Sequence, residues 1–171
     1  MSLTQIENRF LFRDIREGEA ETAAEIEAIC FPPNEACSRR MMVERAAAAP
    51  ETFLVAEERA TGRIAGFLNG IATDEKVFRD EFFTDAGLHR PSGANLMLLG
   101  LDVLPAYRLQ GLGRALVLTC CRRERARGRK RLVLTCLEDK VAMYRKFGFA
   151  DLGLSASVWG GESWHEMDLM L

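Results

Sequence analysis

The sequence predicts an α/β fold, and three observations carry that expectation. Stretches with the two-residue alternation of strands take turns with stretches whose apolar residues recur at helical spacing. No internal repeat, low-complexity tract or linker interrupts this alternation, so the elements are expected around one sheet in a single domain over residues 1–171. At 171 residues, 48% hydrophobic and 28% charged, the chain can bury a sizeable core and falls outside the disordered and fibrous classes.

Phe10 to Ile15 alternates apolar and charged residues, which predicts a half-buried first strand. A helix follows Arg16-Glu17-Gly18-Glu19, with Ala23, Ile26, Ala28, Ile29 and Cys30 as its apolar stripe, and Phe31-Pro32-Pro33 forbids its continuation. Ser38 is placed to cap a second helix running to about Ala47, which Pro50 closes. Thr52–Glu57 and Arg63–Ile71 read as a hairpin across a loop ending in Gly62. Charge-rich Thr73–Asp85 is expected to hold a short helix burying Val77, Phe78, Phe82 and Phe83, and Leu88 to Gly93 a loop. The remainder alternates: strand Leu96–Leu104, a helix to about Arg127, strand Arg131–Cys136, helix Glu138–Phe147, and strands Ala150–Leu154 and Ser163–Leu169.

Between the apolar strand and the long helix lies Arg108-Leu109-Gln110-Gly111-Leu112-Gly113. Glycines at a strand-to-helix turn let the backbone approach a ligand closely, and the free N–H groups of the helix start favour an anion, above all a phosphate or pyrophosphate. A P-loop needs a lysine and a hydroxyl residue where Arg114 and Ala115 stand. A dinucleotide fingerprint needs a small residue where Leu116 stands.

The net charge of -2 argues against bulk attraction to nucleic acid or to an anionic membrane. Neither a signal peptide nor an apolar run of about 18 residues is present, so a cytoplasmic protein is expected. Five cysteines without metal or redox spacing are expected to be reduced and packed, and with two histidines no metal site is expected. The cations from Arg122 to Arg131 complement the negative end of the long helix, leaving one or two to reach a cofactor phosphate.

The turn Arg108-x-x-Gly111-x-Gly113 after a strand resembles the pyrophosphate loop of the GNAT N-acetyltransferase superfamily. Leu134 to Asp139 followed by Met143-Tyr144-Arg145-Lys146-Phe147-Gly148-Phe149 resembles the end of such a domain, where a helix carries a tyrosine beside the CoA sulfur. Leu88-His89-Arg90-Pro91-Ser92-Gly93, Phe31-Pro32-Pro33-Asn34-Glu35-Ala36 and the tail from Gly153 to Met167 are similar to the arylalkylamine (serotonin) N-acetyltransferase branch in its microbial form. The resemblance implies a mixed, mostly antiparallel sheet splayed at the central strand and flanked by helices. It also implies acetyl-CoA as cosubstrate, no metal, and a small primary amine as acceptor, and it leaves a homodimer open.

Carried over by position, the resemblance assigns Leu101, Asp102 and Val103 to the pantetheine. Arg108, Leu109, Gln110, Gly111, Leu112, Gly113 and Arg114 fall to the pyrophosphate, and Tyr144 to the thioester sulfur as general acid. The sequence departs from the branch at Met97 and Leu99, where vertebrate members carry two histidines that take the amine's proton. With Phe31, Pro33 and Phe82, those two residues are expected to make an apolar acceptor tunnel.

Acetyl transfer to an amine needs a base, because an alkylamine with a pKa of about 10 is mostly protonated near neutrality. Glu35, in the proline-bounded loop, is the first candidate and Glu27 a lesser one; His89 is expected to bond its own turn. Asp74, Glu75, Asp80, Glu81 and Asp85 point instead to a polyamine. Two further readings keep the donor site: an acyl-CoA-binding regulator without catalysis, and a peptide or protein N-acetyltransferase.

Overall fold

The computed structural model describes residues 1–171. Its strands are β1 (Phe10–Asp14), β2 (Phe53–Glu58), β3 (Ile64–Thr73), β4 (Asn95–Val103), β5 (Arg131–Cys136), β6 (Ala150–Leu154) and β7 (His165–Met170). They form one sheet in the order β1-β2-β3-β4-β5-β7-β6, antiparallel except for the β4/β5 pair. β7 lies between β5 and β6, because the chain turns back from the sheet edge to fill the place beside β5.

The helices are α1 (Leu3–Arg9), α2 (Ala20–Cys30), α3 (Arg39–Ala48), α4 (Glu81–Thr84), α5 (Leu112–Ala126) and α6 (Glu138–Phe147). α1, α5 and α6 pack on one face around Ile6, Leu96, Leu98, Leu116 and Val141. The other face carries α2 and α3 against Val55 and Phe67, and then the aromatic cluster of Phe78, Phe82 and Phe83 around α4. No helix is long and apolar enough to cross a membrane.

Two details set up the site. β4 and β5 pair only across Asn95–Met97 and Arg131–Val133, after which the strands part. In β4, moreover, Leu99 is an extra residue against β3, where Gly70 faces Leu98 and Asn69 faces Gly100. Such a bulge re-aims the residues beyond it.

Several expectations need correction. Residues 3–9, left without an element by the sequence reading, form α1, which Ser2 caps in a capping box with Gln5. Val77 is 61% exposed, while Phe78, Phe82 and Phe83 are buried as expected. His89 does not bond its own turn: its Nδ1 accepts from the Ala72 amide at 3.1 Å and its Nε2 lies 2.6 Å from Glu51 Oε1, tying the loop to the sheet.

Candidate active site

Where β4 and β5 part, a cavity of about 350 Å³ opens. β4 contributes Leu98 to Leu101 to its wall and β5 contributes Leu134 to Cys136. α2 adds Glu27 and Cys30, the following loop adds Phe31, Pro32 and Glu35, and α6 adds Tyr144. Phe83, Trp159 and Trp164 complete an aromatic side.

That aromatic side is fastened by hydrogen bonds between segments distant in sequence. Trp159 stacks on Phe83 with ring centroids 4.7 Å apart, and its Nε1 donates to the Glu35 carbonyl at 2.8 Å. Trp164 Nε1 donates to the Trp159 carbonyl at 2.9 Å, and Asn34 Nδ2 donates to the Gly160 carbonyl at 3.0 Å. Asp80 holds the same segment from below, accepting from Ser157 Oγ and from the Val158 amide.

Tyr144 is half-buried, in edge contact with Phe147 and Phe149. Burial, and then Cys136 and Asp102, push its pKa up, so the phenol keeps its proton across the working pH range. Burial also raises the Glu35 pKa, with Glu162 and Asp139 adding repulsion. Glu27 is 3% exposed and burial raises its pKa. Its Oε1 accepts from the Cys37 amide at 3.1 Å. Asp102 has no exposed surface, and burial together with Glu27 raises its pKa far more.

At the other end of β4 the glycine turn is built as a cradle. The amides of Gly111, Leu112, Gly113 and Arg114 donate to no protein acceptor, and no side chain caps α5. Leu109 and Gly111 take positive φ values of 60° and 91°, and the Leu109 side chain is fully exposed. Backbone strain at a non-glycine residue beside free amides is a feature of ligand-holding turns. Arg108 Nε donates to the Val103 carbonyl, and Arg9 of α1 donates to Gln110 Oε1, each at 2.8 Å.

The structure therefore gathers Leu99, Leu101, Phe31, Glu35 and Tyr144 around one cavity and rejects three other expectations. Met97 and Phe82 are fully buried in the aromatic cluster, and Pro33 is exposed outside the wall, where Pro32 takes its place. Five of the seven cations of the basic run are occupied with structural bonds: Arg122 to Glu7, Arg123 to Asp14, Arg127 and Arg129 to Glu124, Arg131 to Asp168. The run lies at the far end of the 15-residue α5, roughly 20 Å from the turn at 1.5 Å per residue, too far to serve a phosphate there. The acidic run is committed as well. Asp74 accepts from the Ala94 amide, Glu75 and Glu81 pair with Arg79, and Asp85 accepts from Gly87.

Sequence reading missed Phe83, Trp159 and Trp164 as wall residues, because their approach depends on contacts between α4 and the C-terminal loop. Glu27, ranked second, had a signal: a carboxylate directly after Ile26 and four residues after Ala23 falls on the buried stripe of α2.

Comparison with known proteins bears on the fold and the family. Over 111 residues the chain is 32% identical to serotonin N-acetyltransferase of Mesocricetus auratus, a match covering 64% of this chain and about half (52%) of that relative. Among solved structures, a GNAT-like decarboxylase, GphF, in complex with isobutyryl-CoA superposes with a TM-score of 0.78 over 94% of this chain and 98% of its own, at 22% identity. The loading GNATL domain of CurA from Lyngbya majuscula gives 0.79 over 94% and 97%, at 14% identity. At those identities the two structures speak for the fold alone. The sequence model of the acetyltransferase (GNAT) family matches residues 20–149, and the chain belongs to that family.

Proposed function

We propose that the protein transfers acetyl from acetyl-CoA to the primary amine of a small aryl- or alkylamine, by direct attack within a ternary complex. One observation carries this reading: the cavity at the β4/β5 split has an aromatic side, carboxylates at Glu35 and Glu27, and a protonated phenol at Tyr144. The donor's pyrophosphate fits the free amides from Gly111 to Arg114, with Leu109 and Gln110 shaping the turn and Arg108 fixing it to β4. A Cβ at Gly113 would meet only Val103 and Leu101 at ordinary contact distances, 3.8 and 4.0 Å, so close ligand approach is the better reason for this glycine. Backbone groups of Leu101, Asp102 and Val103, beyond the last β4/β5 pair, suit the pantetheine amides.

When bound, acetyl-CoA supplies an activated acyl group. The residues supply position and proton handling. Phe31, Leu99, Phe83 and Trp159 exclude water and hold the acceptor's apolar body. Glu35, at the loop side of the cavity, pairs with the incoming ammonium and takes its first proton, which solvent can then accept. Tyr144 gives its proton to the leaving thiolate. The commitment of the acidic run to local bonds removes the support for a polyamine, and the stitched aromatic side favours a small acceptor over a peptide.

The test is a turnover screen with acetyl-CoA against arylalkylamines, polyamines and peptides. Arylalkylamines should be acetylated fastest, and Tyr144→Phe should lower kcat by about 10²-fold. Full activity in that variant would remove Tyr144 as the acid. Tight acetyl-CoA binding without turnover on any amine would make the protein a regulator.

A further inference from the structure

Glu27 of the cavity wall belongs to a buried polar set that extends behind it, where Arg45, Asn69 and Asp102 have no role in the reaction as described above. Glu27 from α2, Arg45 from α3, Asn69 from β3 and Asp102 from β4 are all buried, at 5% exposure or less. Within this cluster Arg45 Nε and Nη1 and Asn69 Oδ1 make no hydrogen bond, and the facing carboxyls of Glu27 Oε2 and Asp102 have only each other as partners, through a shared proton. So many unsatisfied buried atoms in one place need an explanation, and active sites are one of the few that serve.

Gly100 shows where the cluster communicates with the cavity. A Cβ at this position would lie 3.0 Å from Asp102 Oδ2, 3.3 Å from Glu27 Oε2 and 3.8 Å from Asn69 Nδ2. Glycine thus keeps open the space that the two carboxyls face. Gly100 and Glu27 are both wall residues, and Gly100 directly follows the bulged Leu99, at the split where the reacting groups are brought together.

We propose that Glu27, with Asp102 behind it, takes the second proton of the acceptor nitrogen, the one released as its bond to the acyl carbon forms. The inference rests on the acetyltransferase reading above. An ammonium must lose two protons to become an amide: the first leaves before attack, at Glu35, and the second leaves as the new C–N bond forms and the C–S bond breaks. Tyr144 meanwhile gives its own proton to the thiolate, so the proton taken by Glu27 returns to Tyr144 and restores both residues. Atoms and charges then balance to one amide, one thiol and one proton released to solvent.

The charged and titratable groups facing Glu27 fit this work. Arg45 is the one cation, and its Nη2 is anchored on the Phe83 carbonyl at 2.9 Å. Cys37 faces Glu27 and Cys30 faces Asp102, both with thiol pKa values raised by burial and therefore neutral. Burial and Glu27 raise the Asp102 carboxyl further than burial raises Glu27, so Asp102 is the member of the pair that holds the proton and Glu27 the one that can accept another. Asp102 and Arg45 are positioning residues and Glu27 is the catalytic one.

The experiment follows Glu27→Gln by steady-state kinetics with phenethylamine and acetyl-CoA, and by carbon NMR of the carboxyl groups in the free protein. The variant should lose about 10²- to 10³-fold in kcat with the amine KM changed less than about threefold. The Asp102 carboxyl should titrate at lower pH once its charged neighbour is gone, a readout independent of turnover. Should Glu27→Gln fail to fold, Gly100→Ala keeps both acids and places a methyl between them and the cavity; it should lower kcat at least about tenfold. Turnover in either variant within about twofold of the unsubstituted protein, or an unmoved Asp102 titration, would overturn the assignment of Glu27 alone. No turnover by the unsubstituted protein on any amine would overturn the acetyltransferase reading and this one with it.

Discussion

Glu35 sits where burial, and then the charges of Glu162 and Asp139, lift its pKa above the ordinary carboxylate value. A proton acceptor works ionised, so kcat/KM should fall as pH drops through that raised pKa, at higher pH than a free glutamate would give. Glu35→Gln should abolish this acidic limb and cost about 10²-fold in kcat/KM; an unchanged pH–rate profile would take Glu35 out of the reaction. Asp102 makes a prediction about stability. In the unfolded chain it ionises near pH 4, whereas in the fold it holds its proton to much higher pH. Between those values the native state binds more protons, so its stability falls as pH rises through that window. Asp102→Asn removes the effect, and should raise Tm at pH 8 by more than at pH 5 even as it weakens catalysis. Equal Tm shifts at both values would contradict the buried, protonated Asp102. The sequence led only to the backbone of this residue, because nothing in Leu-Asp-Val tells that a bulge at Leu99 has turned the aspartate side chain inward, toward Glu27. The sequence places Met97 and Leu99 in the acceptor wall together because they stand where the branch carries its two histidines, but only Leu99 lies beyond the last β4/β5 pair, where the cavity begins.

At the level of elements, the glycine turn is braced by a helix that the sequence reading passed over. α1 is seven residues long with a single buried side chain, Ile6, too short for a periodic signal, although Ser2-x-x-Gln5 is a capping-box pattern. Its Arg9 bonds both Gln110 and Glu58, and Glu58 in turn accepts from Tyr107 just ahead of the turn. Ile6 presses on Gly111 so closely that a Cβ there would come within 3.0 Å of its Cδ1. Gly111→Ala therefore meets two obstacles, a left-handed φ that costs about 1–2 kcal/mol and a clash with α1. Acetyl-CoA affinity should fall at least tenfold by calorimetry while the sheet and the amine pocket stay intact; unchanged affinity would mean that the turn does not hold the pyrophosphate. The long elements, by contrast, were readable to within a residue or two, since β4, α5, β5 and α6 each combine a clear period with a glycine, proline or charge boundary.

Across the whole molecule, the sequence conveyed the alternation of strands and helices and, through resemblance, the split sheet. It could not convey that Phe83, Trp159 and Glu35, far apart in the chain, would close one side of the cavity, because that depends on how α4 and the C-terminal loop settle against the sheet. A donor bound along β4 supplies hydrogen bonds where β5 has left, so it should stabilise the fold by about 2.7 kcal/mol at 100 times its Kd. Thermal denaturation with and without CoA measures this, and no shift at saturating CoA would place the donor elsewhere. The divergence of β4 from β5 after three paired residues has a further consequence. It leaves two strand edges facing each other inside the protein, a hazard on an outer rim, where a foreign chain can add by main-chain pairing. Here the gap lies between α2 and α6, with the stitched loop along one side, and so not on an outer rim. The interruption in the sheet thus keeps its two unpaired edges within the fold.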